Sequence, residues 1–441
     1  MVALHRAAID AADPDAAVRR HLALDDDSLR VGAAGAASIP LGPDSRVFLV
    51  AAGKASPAMT SAALDVAGAR IAAGVVAHPH AANLAALHAS MGRHAPGGLR
   101  AFGAGHPLPD EGSIGAGDAV VALLGTVRPG DVVLVLLSGG GSALLESLRP
   151  GLTLDDLRGV TGALQRAGAD IGALNTVRRA LSRLKGGGLA RLAGPARVVT
   201  LALSDVIGDR PEAIASGPTV PSPTGPSDAL AILDRFGIGR EAANVVAALR
   251  AADLARPPAP REAEDGRYVI VGSNAMAAAA VRAEAERRGY AVTIVTLSLA
   301  GEAREAGARI GAAARAVRGG GKPLPAPACL IYGGETTVTV RGEGHGGRNL
   351  EVALGAALAI EGLRDVAVLA FATDGVDGIS RGAGALVTGE TIAHARVLGA
   401  DPEEAFAKSD TEAFFEKVGG LWVTGPTGTN VNDLAVVLLD P

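Results

Sequence analysis

The sequence predicts an α/β protein built of two domains, and three observations carry this prediction. Its length of 441 residues is too great for one ordinary hydrophobic core. Four apolar runs each end in glycine beside a charged or hydroxyl-bearing residue, which is typical of buried parallel strands whose carboxyl ends form a binding edge. The 60 glycines and 2% aromatic residues indicate a chain in which tight turns matter.

Composition and charge exclude several classes of protein. The formal net charge of −5 argues against nucleic acid or an anionic membrane as the main partner. Cys329 is the single cysteine, so the sequence provides neither a disulfide framework nor a thiolate metal site. No apolar run approaches the ~20 residues of a membrane span, and the first residues lack an apolar signal core. We therefore expect a cytoplasmic protein, either a monomer or a homodimer.

The first elements of the chain are a helix and a strand. Residues 1–24 have the pattern of an amphipathic helix, and residues 47–51 form a strand that runs into Gly53 and Lys54. A lysine just past a glycine turn can bring its ammonium group to a phosphate. Ala55 occupies the position of the Walker A hydroxyl, so this is not a P-loop. The alternative is a solvated surface lysine.

The most informative strand is Val132–Leu137, whose six apolar residues predict burial on both faces. Three glycines then bare the backbone N–H groups and two serines add hydroxyls, and a helix from Ala143 would add partial positive charge. The sequence therefore predicts an anion cradle for a phosphate or a carboxylate, formed by Ser138, Gly139, Gly140, Gly141 and Ser142.

A basic helix is predicted from about Asn175. Apolar residues recur at helical spacing, and the remaining faces carry Arg178 with Lys185 and Arg179 with Arg183. An ordinary solvated face is the alternative. The helix matters for function if it borders the cradle.

Acidic residues follow two further strands. Residues 198–203 lead to Asp205 and Asp209, and Val366–Ala372 leads to Asp374 and Asp377. Acids so placed can hold Mg²⁺ through oxygen ligands that phosphate oxygens complete. Asx turns and helix caps are the alternative for each, and Glu335 has the same two interpretations.

The second domain follows a Pro-rich, charged segment. Residues 251–267 are the best linker candidate, which gives domains of 1–250 and 268–441. Alternating residues 336–341 predict a half-exposed strand, and residues 434–439 predict a final strand.

Residues 342–347 match the G-x-G-x-x-G pattern of dinucleotide-binding turns. The next acid at a strand end is Asp374, which lies too far along the chain to hold a ribose in the usual way. We interpret the segment as a phosphate- or substrate-binding turn that presents Arg348. A glycine-rich exit from a hairpin is the alternative.

Taken together, these segments resemble the glycerate 2-kinase family with its MOFRL domain. The resemblance covers most of the chain in order and rests on VAAGKASPAM (50–59), GHPLPDEGS (105–113), LLSGGGSALL (136–145), NTVRRALSRLKGGGLA (175–190), LSDVIGDRPEAIASGPTVPSPT (203–224), YGGETTVTVRGEGHGGRNLE (332–351), ATDGVDG (372–378) and TGPTGTNVNDL (424–434).

The resemblance implies transfer of the γ-phosphoryl of ATP, with Mg²⁺, to the 2-hydroxyl of D-glycerate. It also implies an N-terminal Rossmann-like domain with a parallel sheet and a C-terminal MOFRL domain with a mixed sheet. The active site is expected in the cleft between these domains, with Lys54 and Arg348 as the catalytic pair.

We assign Lys54 and Arg348 to the transferring phosphoryl group, and Asp205 to the metal or the substrate proton, with Asp209 as a second metal ligand. The remaining candidates for binding substrate or nucleotide, besides the cradle, are Gly53, Arg179, Lys185, Glu335, Gly346, Gly347, Asn349, Asp374 and Asn430. Three alternatives stay open: an NAD(P)-dependent hydroxypyruvate reductase, a kinase of a related hydroxy acid, and a non-catalytic binder of sugar acids or phosphates.

Overall fold

The structure is a computed structural model that describes residues 1–94, 98–255, 267–320 and 324–441. Most of the predicted linker, residues 256–266, lies outside the described residues. The helices are α1 (Val2–Ala11), α2 (Pro14–His21), α3 (Ser56–Ala67), α4 (Ala85–His94), α5 (Glu111–Leu124), α6 (Gly141–Leu144), α7 (Leu154–Arg166), α8 (Ile171–Leu181), α9 (Gly188–Ala193), α10 (Pro226–Arg235), α11 (Ala243–Ala255), α12 (Asn274–Arg287), α13 (Ala303–Gly320), α14 (Arg348–Ala359), α15 (Thr391–Val397), α16 (Pro402–Lys408) and α17 (Thr411–Val418).

The strands are β1 (Leu22–Leu24), β2 (Ser28–Val31), β3 (Ala37–Pro40), β4 (Val47–Ala52), β5 (Ile71–Pro79), β6 (Leu99–Ala104), β7 (Val132–Leu137), β8 (Arg197–Leu203), β9 (Tyr268–Gly272), β10 (Ala291–Leu299), β11 (Ala328–Gly334), β12 (Val366–Ala372), β13 (Gly384–Thr388), β14 (Leu421–Trp422) and β15 (Asp433–Leu439). Among the described helices, none combines the length and the apolar character that crossing a bilayer requires.

The chain divides into two compact units. Unit 1 comprises Met1–Asp13, Ser204–Gly208 and Gly272–Pro441, and unit 2 comprises Pro14–Leu203 and Asp209–Val271. Two short segments thus join the C-terminal part of the chain, because α1 packs on α12 and the side chain of Asn432 donates to the carbonyl of Asp205 at 2.7 Å.

Unit 2 contains the parallel sheet that the apolar runs predict. Its strand order is β6-β5-β4-β7-β8-β9, and β6, β5, β4, β7 and β8 run parallel to one another. Every residue of β4 and β7 is buried, as expected for central strands covered on both faces. A separate antiparallel sheet is formed by β1, β2 and β3. The parallel sheet confirms the predicted fold class of this part of the chain.

A helical layer of unit 2 is built from α7, α8, α10 and α11. Their apolar faces form one buried cluster, with members such as Leu157, Val177, Leu233 and Leu249. The N-terminus of α7 is fixed by a capping box in which Thr153 accepts from the N–H of Asp156.

Unit 1 contains the mixed sheet that was predicted. Its order is β10-β11-β15-β12-β13-β14, with β10 and β11 parallel and the other pairs antiparallel. Helices α13 and α14 pack closely on each other. A Cβ at Gly307 would collide with the carbonyl of Val352, and one at Gly355 would collide with the carbonyl of Arg304. Glycine at these two positions therefore allows the backbones to approach.

The predictions for the chain start and for residues 336–341 are wrong in detail. Residues 1–24 form α1, α2 and β1, and α1 belongs to unit 1 whereas Pro14 begins unit 2. Residues 336–341 form no strand and share a single bridge, between Thr337 and Glu302. The carboxylate of Glu302 accepts from the N–H and the hydroxyl of Thr339, so a side chain takes the place of a strand ladder.

The basic helix begins and ends about four residues earlier than predicted. It is α8, which ends at Leu181, so Arg183 and Lys185 follow it and share no helical face with Arg178 and Arg179. The chain leaves the helix at Ser182, whose backbone is extended and whose hydroxyl accepts from the N–H of Lys185 at 3.3 Å.

Candidate active site

The predicted anion cradle lies directly after β7 in unit 2. The backbone N–H groups of Gly139, Gly140 and Ser142 donate to no acceptor within the described parts of the chain, whereas those of Ser138 and Gly141 donate to carbonyls. Gly140 has a left-handed backbone, with φ of +82°, which glycine adopts without strain. Three N–H groups within four residues can therefore receive an anion.

Lys54 lies beside this cradle. Its N–H donates to the carbonyl of Gly139 at 2.8 Å, and a Cβ at Gly140 would be 3.4 Å from Cγ of Lys54. Gly53 has φ of +134°, and a Cβ there would collide with the side chain and carbonyl of Ser138. The close approach of the two strand ends thus explains Gly53, and the exposed side chain of Lys54 stands next to the cradle.

Sequence reasoning missed His106 as a site residue. A Cβ at Gly140 would be 2.9 Å from Cδ2 of His106, so the imidazole also borders the cradle. Burial lowers the pKa of His106, and the charge of Lys54 lowers it further. The only sequence signal was its position in a Pro-fixed loop, which does not reveal a neighbour 34 residues away in the chain.

Two parts of the predicted cradle have other roles. The hydroxyl of Ser138 accepts from the N–H of Ala55 at 3.0 Å, and the hydroxyl of Ser142 pairs with that of Ser216 at 2.8 Å. The helix expected from Ala143 is α6, which begins at Gly141 and has four residues. So short a helix carries little dipole, and the N–H groups themselves supply the positive potential.

Arg179 and Lys185 do not line the cradle. Lys185 is fully buried in an ion pair with Glu146, and Arg179 donates to the hydroxyl of Thr224 at 3.2 Å. Both residues line a separate cleft of unit 2. The prediction that they bind substrate is not tested by this placement.

In unit 1, Arg348 is the first residue of α14 and is held by two carboxylates. It forms a two-pronged pair with Asp433, with Nη2 and Oδ1 3.1 Å apart, and its Nη1 lies 2.8 Å from Oε1 of Glu335. This geometry fixes the plane of the guanidinium. Sequence reasoning named Arg348 and Glu335 but missed Asp433, which is the first residue of β15.

Asp433 is buried, with its residue 7% exposed. Burial raises the pKa of this carboxyl to about 6, and the bidentate pair with Arg348 opposes the shift. Arg348 therefore keeps an ionised partner at neutral pH.

Asp377 caps helix α14. Its carboxylate accepts from the N–H of Asn349 at 3.1 Å, from the N–H of Leu350 at 2.8 Å and from the side-chain amide of Asn349 at 3.2 Å. The capping interpretation of this acid is therefore the one that the structure supports, and Asn349 links it to the start of the helix.

The remaining polar candidates of unit 1 lie in turns. Asp374 accepts from the N–H of Val376 at 3.2 Å, which is an Asx turn, and Asn430 accepts from the N–H of Asn432 at 3.0 Å. Asp205 lies in unit 1, where its carbonyl accepts from the side-chain amide of Asn432. Asp209 lies in unit 2, and its backbone φ is +52°.

The G-x-G-x-x-G segment is a loop that packs on the corner between α16 and α17. A Cβ at Gly342, Gly344 or Gly346 would collide with residues 408–411, and one at Gly347 would collide with Asp377. Close packing thus accounts for these glycines. The segment follows no strand, which a dinucleotide-binding turn requires.

No group of three or more His, Cys, Asp or Glu side chains in the described residues is arranged to hold a metal ion. A magnesium ion bound with ATP needs only one or two carboxylates, because phosphate oxygens and water supply its other ligands. Asp205 and Asp209 have the right donor chemistry for that smaller contribution.

Two family models match the chain. Residues 1–250 match the domain of unknown function DUF4147, and residues 328–433 match the MOFRL family.

Curated relatives cover nearly the whole chain. A D-glycerate 2-kinase of Thermotoga maritima is 40% identical over 397 residues, which are 89% of this chain and 91% of the relative. A protein of Agrobacterium vitis, provisionally named a hydroxypyruvate reductase, is 40% identical over 91% of this chain and 89% of its own. The crystal structure of a glycerate kinase from Thermotoga maritima aligns with a TM-score of 0.85 at 36% identity, covering 99% of this chain and 97% of the other.

Proposed function

The chain belongs to the glycerate kinase family, and from this premise we propose that it transfers the γ-phosphoryl group of ATP to the 2-hydroxyl of D-glycerate. Phosphoryl transfer depends on positioning and on neutralising charge rather than on covalent chemistry with the protein. The cradle with its adjacent lysine is the observation that carries the proposal.

In this proposal, the N–H groups of Gly139, Gly140 and Ser142 bind an anionic group of the reactants. The group is a phosphate of ATP or the carboxylate of glycerate. Lys54 places its ammonium group on the phosphoryl oxygens, where charge spreads as the bond to the leaving oxygen breaks. His106, with its lowered pKa, borders the same space without adding a second full charge at neutral pH.

Arg348 is assigned to the same phosphoryl group. Its pairs with Asp433 and Glu335 leave its charge partly neutralised, so we propose that it acts mainly as an oriented hydrogen-bond donor. Its fixed plane limits the reorganisation needed when the transition state forms.

Mg²⁺ would be shared between the ATP phosphates and the carboxylates of Asp205 and Asp209. When bound, the ion neutralises phosphate charge and polarises the bond that breaks. Asp205 is the alternative acceptor of the proton from the 2-hydroxyl. Cytoplasmic location and the choice between monomer and homodimer stay predictions.

The rival activity is reduction of hydroxypyruvate with NAD(P)H, the activity in the name of the Agrobacterium vitis relative. The turn that would bind a dinucleotide packs on residues 408–411 instead and follows no strand. The site geometry therefore favours the kinase.

A product assay tests the proposal. The protein is incubated with ATP, Mg²⁺ and D-glycerate, and 2-phosphoglycerate is separated from 3-phosphoglycerate. Hydroxypyruvate with NADH or NADPH is assayed in parallel, and Lys54→Ala supplies the background. We expect 2-phosphoglycerate as the product; oxidation of NAD(P)H faster than use of ATP would overturn the assignment.

A further inference from the structure

A second cationic site lies in unit 2, in a cleft of about 540 Å³ beside α8, α9 and α11. Four cationic residues line it, and no residue of the cradle does. Its volume is within the range of small-molecule sites. The cationic residues are Arg149, Arg179, Lys185 and Arg191.

The three arginines have no ion-pair partner among the described residues. Lys185 is paired with Glu146, but no carboxylate within 4.0 Å pairs with Arg149, Arg179 or Arg191 in the described residues. Burial lowers the pKa of Arg191, and the neighbouring charge of Arg149 lowers it further, so these two like charges lie close together.

Neutral groups hold the guanidinium groups in place. Nε of Arg149 donates to the carbonyl of Ala180 at 2.6 Å, and Nη1 of Arg191 donates to the carbonyl of Gly186 at 3.2 Å. Nε of Arg179 is buried and has no hydrogen-bond partner in the described parts of the chain. Positioned guanidinium groups with remaining donors are what an anion with several oxygens requires.

The carboxylates near the cleft do not cancel this charge. Asp228 accepts from the N–H of Gly225 at 2.7 Å, at the start of α10, and Asp253 stands exposed on α11. Glu212 raises the pKa of Arg179, but burial has the larger effect and lowers it. The hydroxyls of Ser222 and Thr224 add neutral donors to the same wall.

We propose that this cleft is a second anion site, separate from the cradle, which binds the phosphate group of a small phosphorylated molecule. A phosphate dianion suits several guanidinium forks better than a single carboxylate does, because its oxygens accept from different directions. The proposal does not depend on the kinase activity, since Arg149 and Arg191, the residues at which it is tested, have no role in the proposed transfer.

Calorimetric titration with inorganic phosphate tests this site in the full chain. The background is Lys54→Ala, which weakens the cradle. In that background we expect one phosphate to bind, and we expect Arg149→Gln or Arg191→Gln to weaken binding at least tenfold. The matched control Arg166→Gln, on the exposed side of α7, leaves binding unchanged. The proposal fails if the Lys54→Ala protein binds no phosphate, or if the cleft variants bind it equally well.

A kinetic measurement separates this site from a nucleotide site. In Arg191→Gln alone, an ATP KM within twofold of the wild-type value supports a separate site. An ATP KM that rises in step with the loss of phosphate affinity would assign the cleft to the ATP phosphates and overturn its independence. Melting temperatures establish folding, and Arg149→Gln replaces Arg191→Gln if that variant does not fold.

Discussion

At the scale of single residues, removal of Lys54 leaves no buried charge without a partner, whereas removal of Arg348 leaves the buried Asp433 without its partner. Lys54 is exposed, so Lys54→Ala removes charge from the site and leaves the packing of the unit intact. We expect kcat to fall on the order of 10³-fold, as for other cations that stabilise a transferring phosphoryl group, with an unchanged melting temperature. Steady-state kinetics and thermal unfolding on the same preparation measure both.

Lys408→Ala is the matched control for Lys54→Ala. Lys408 is an exposed lysine in an ion pair with Glu404, one turn away on α16, and such surface pairs contribute little. Its kcat should equal that of the wild type. If Lys54→Ala keeps more than about a tenth of the wild-type kcat/KM, Lys54 is a solvated surface lysine, which is the alternative interpretation of its place in the sequence.

Glu351 gives the protein a pH-dependent stability. The residue is 4% exposed on α14, and burial, followed by the charge of Glu302, raises its pKa to about 7. The folded state thus holds this proton more tightly than the unfolded state does. The stability that this raised pKa gives the folded state is complete below pH 4.5, the usual pKa of a glutamate, and is lost as the pH rises to 7.

Glu351→Gln removes that loss, because the amide does not ionise. At pH 8 the variant should be more stable to urea than the wild type, by up to about 3 kcal/mol, and at pH 5 the difference should be small. Glu241→Gln, an exposed control, should change little at either pH. Equal stability of Glu351→Gln and wild type at pH 8 would contradict the shifted pKa.

At the scale of elements, the start of α14 couples stability to the site. Asp377→Ala would leave the buried N–H groups of Asn349 and Leu350 without acceptors, which costs about 1–3 kcal/mol. Arg348 is the adjacent residue, so kcat should fall as well. Urea unfolding and kinetics below the melting temperature measure the two effects.

Asp401→Ala is the matched cap variant. Asp401 accepts from the N–H of Glu403 at the exposed start of α16, whereas Arg348 begins a different helix, α14. It should lose about 1 kcal/mol of stability with kcat unchanged. A normal kcat in Asp377→Ala would mean that the cap supports the fold without positioning Arg348.

Elements with strong local patterns were predictable, and elements shaped by distant partners were not. The apolar run of β7 is a buried strand as predicted, and β15 begins one residue before its predicted start. By contrast, α8 ends at Leu181 and Lys185 pairs with Glu146, 39 residues away. Periodicity records which face is apolar, but it carries no information on such pairs.

The candidate site shows the same division. The glycine turn after a predicted strand indicated Gly53 and Lys54 as candidates, and the glycine-rich segment 342–347 indicated Arg348. His106 beside Gly140, and Asp433 beside Arg348, depend on contacts between residues far apart in the chain. The sequence therefore predicts where a site lies better than it predicts which side chains orient it.

At the scale of the whole molecule, the two units each supply one of the proposed catalytic cations. If Lys54 and Arg348 act on one phosphoryl group, the loss of kcat in the double variant should be less than the product of the single losses. Arg348→Ala also leaves Asp433 buried without its partner, so kinetics are measured well below its melting temperature. Fully multiplicative losses would indicate that the two residues act independently.

The position of β15 has a consequence for biosynthesis. This strand lies between β11 and β12, yet it is the last strand of its sheet to leave the ribosome. Until it emerges, β11 and β12 each lack their partner on one edge, and unpaired strand edges invite aggregation. A frameshift just before Asp433 would therefore remove the strand that joins β11 to β12 and leave an edge of each unpaired.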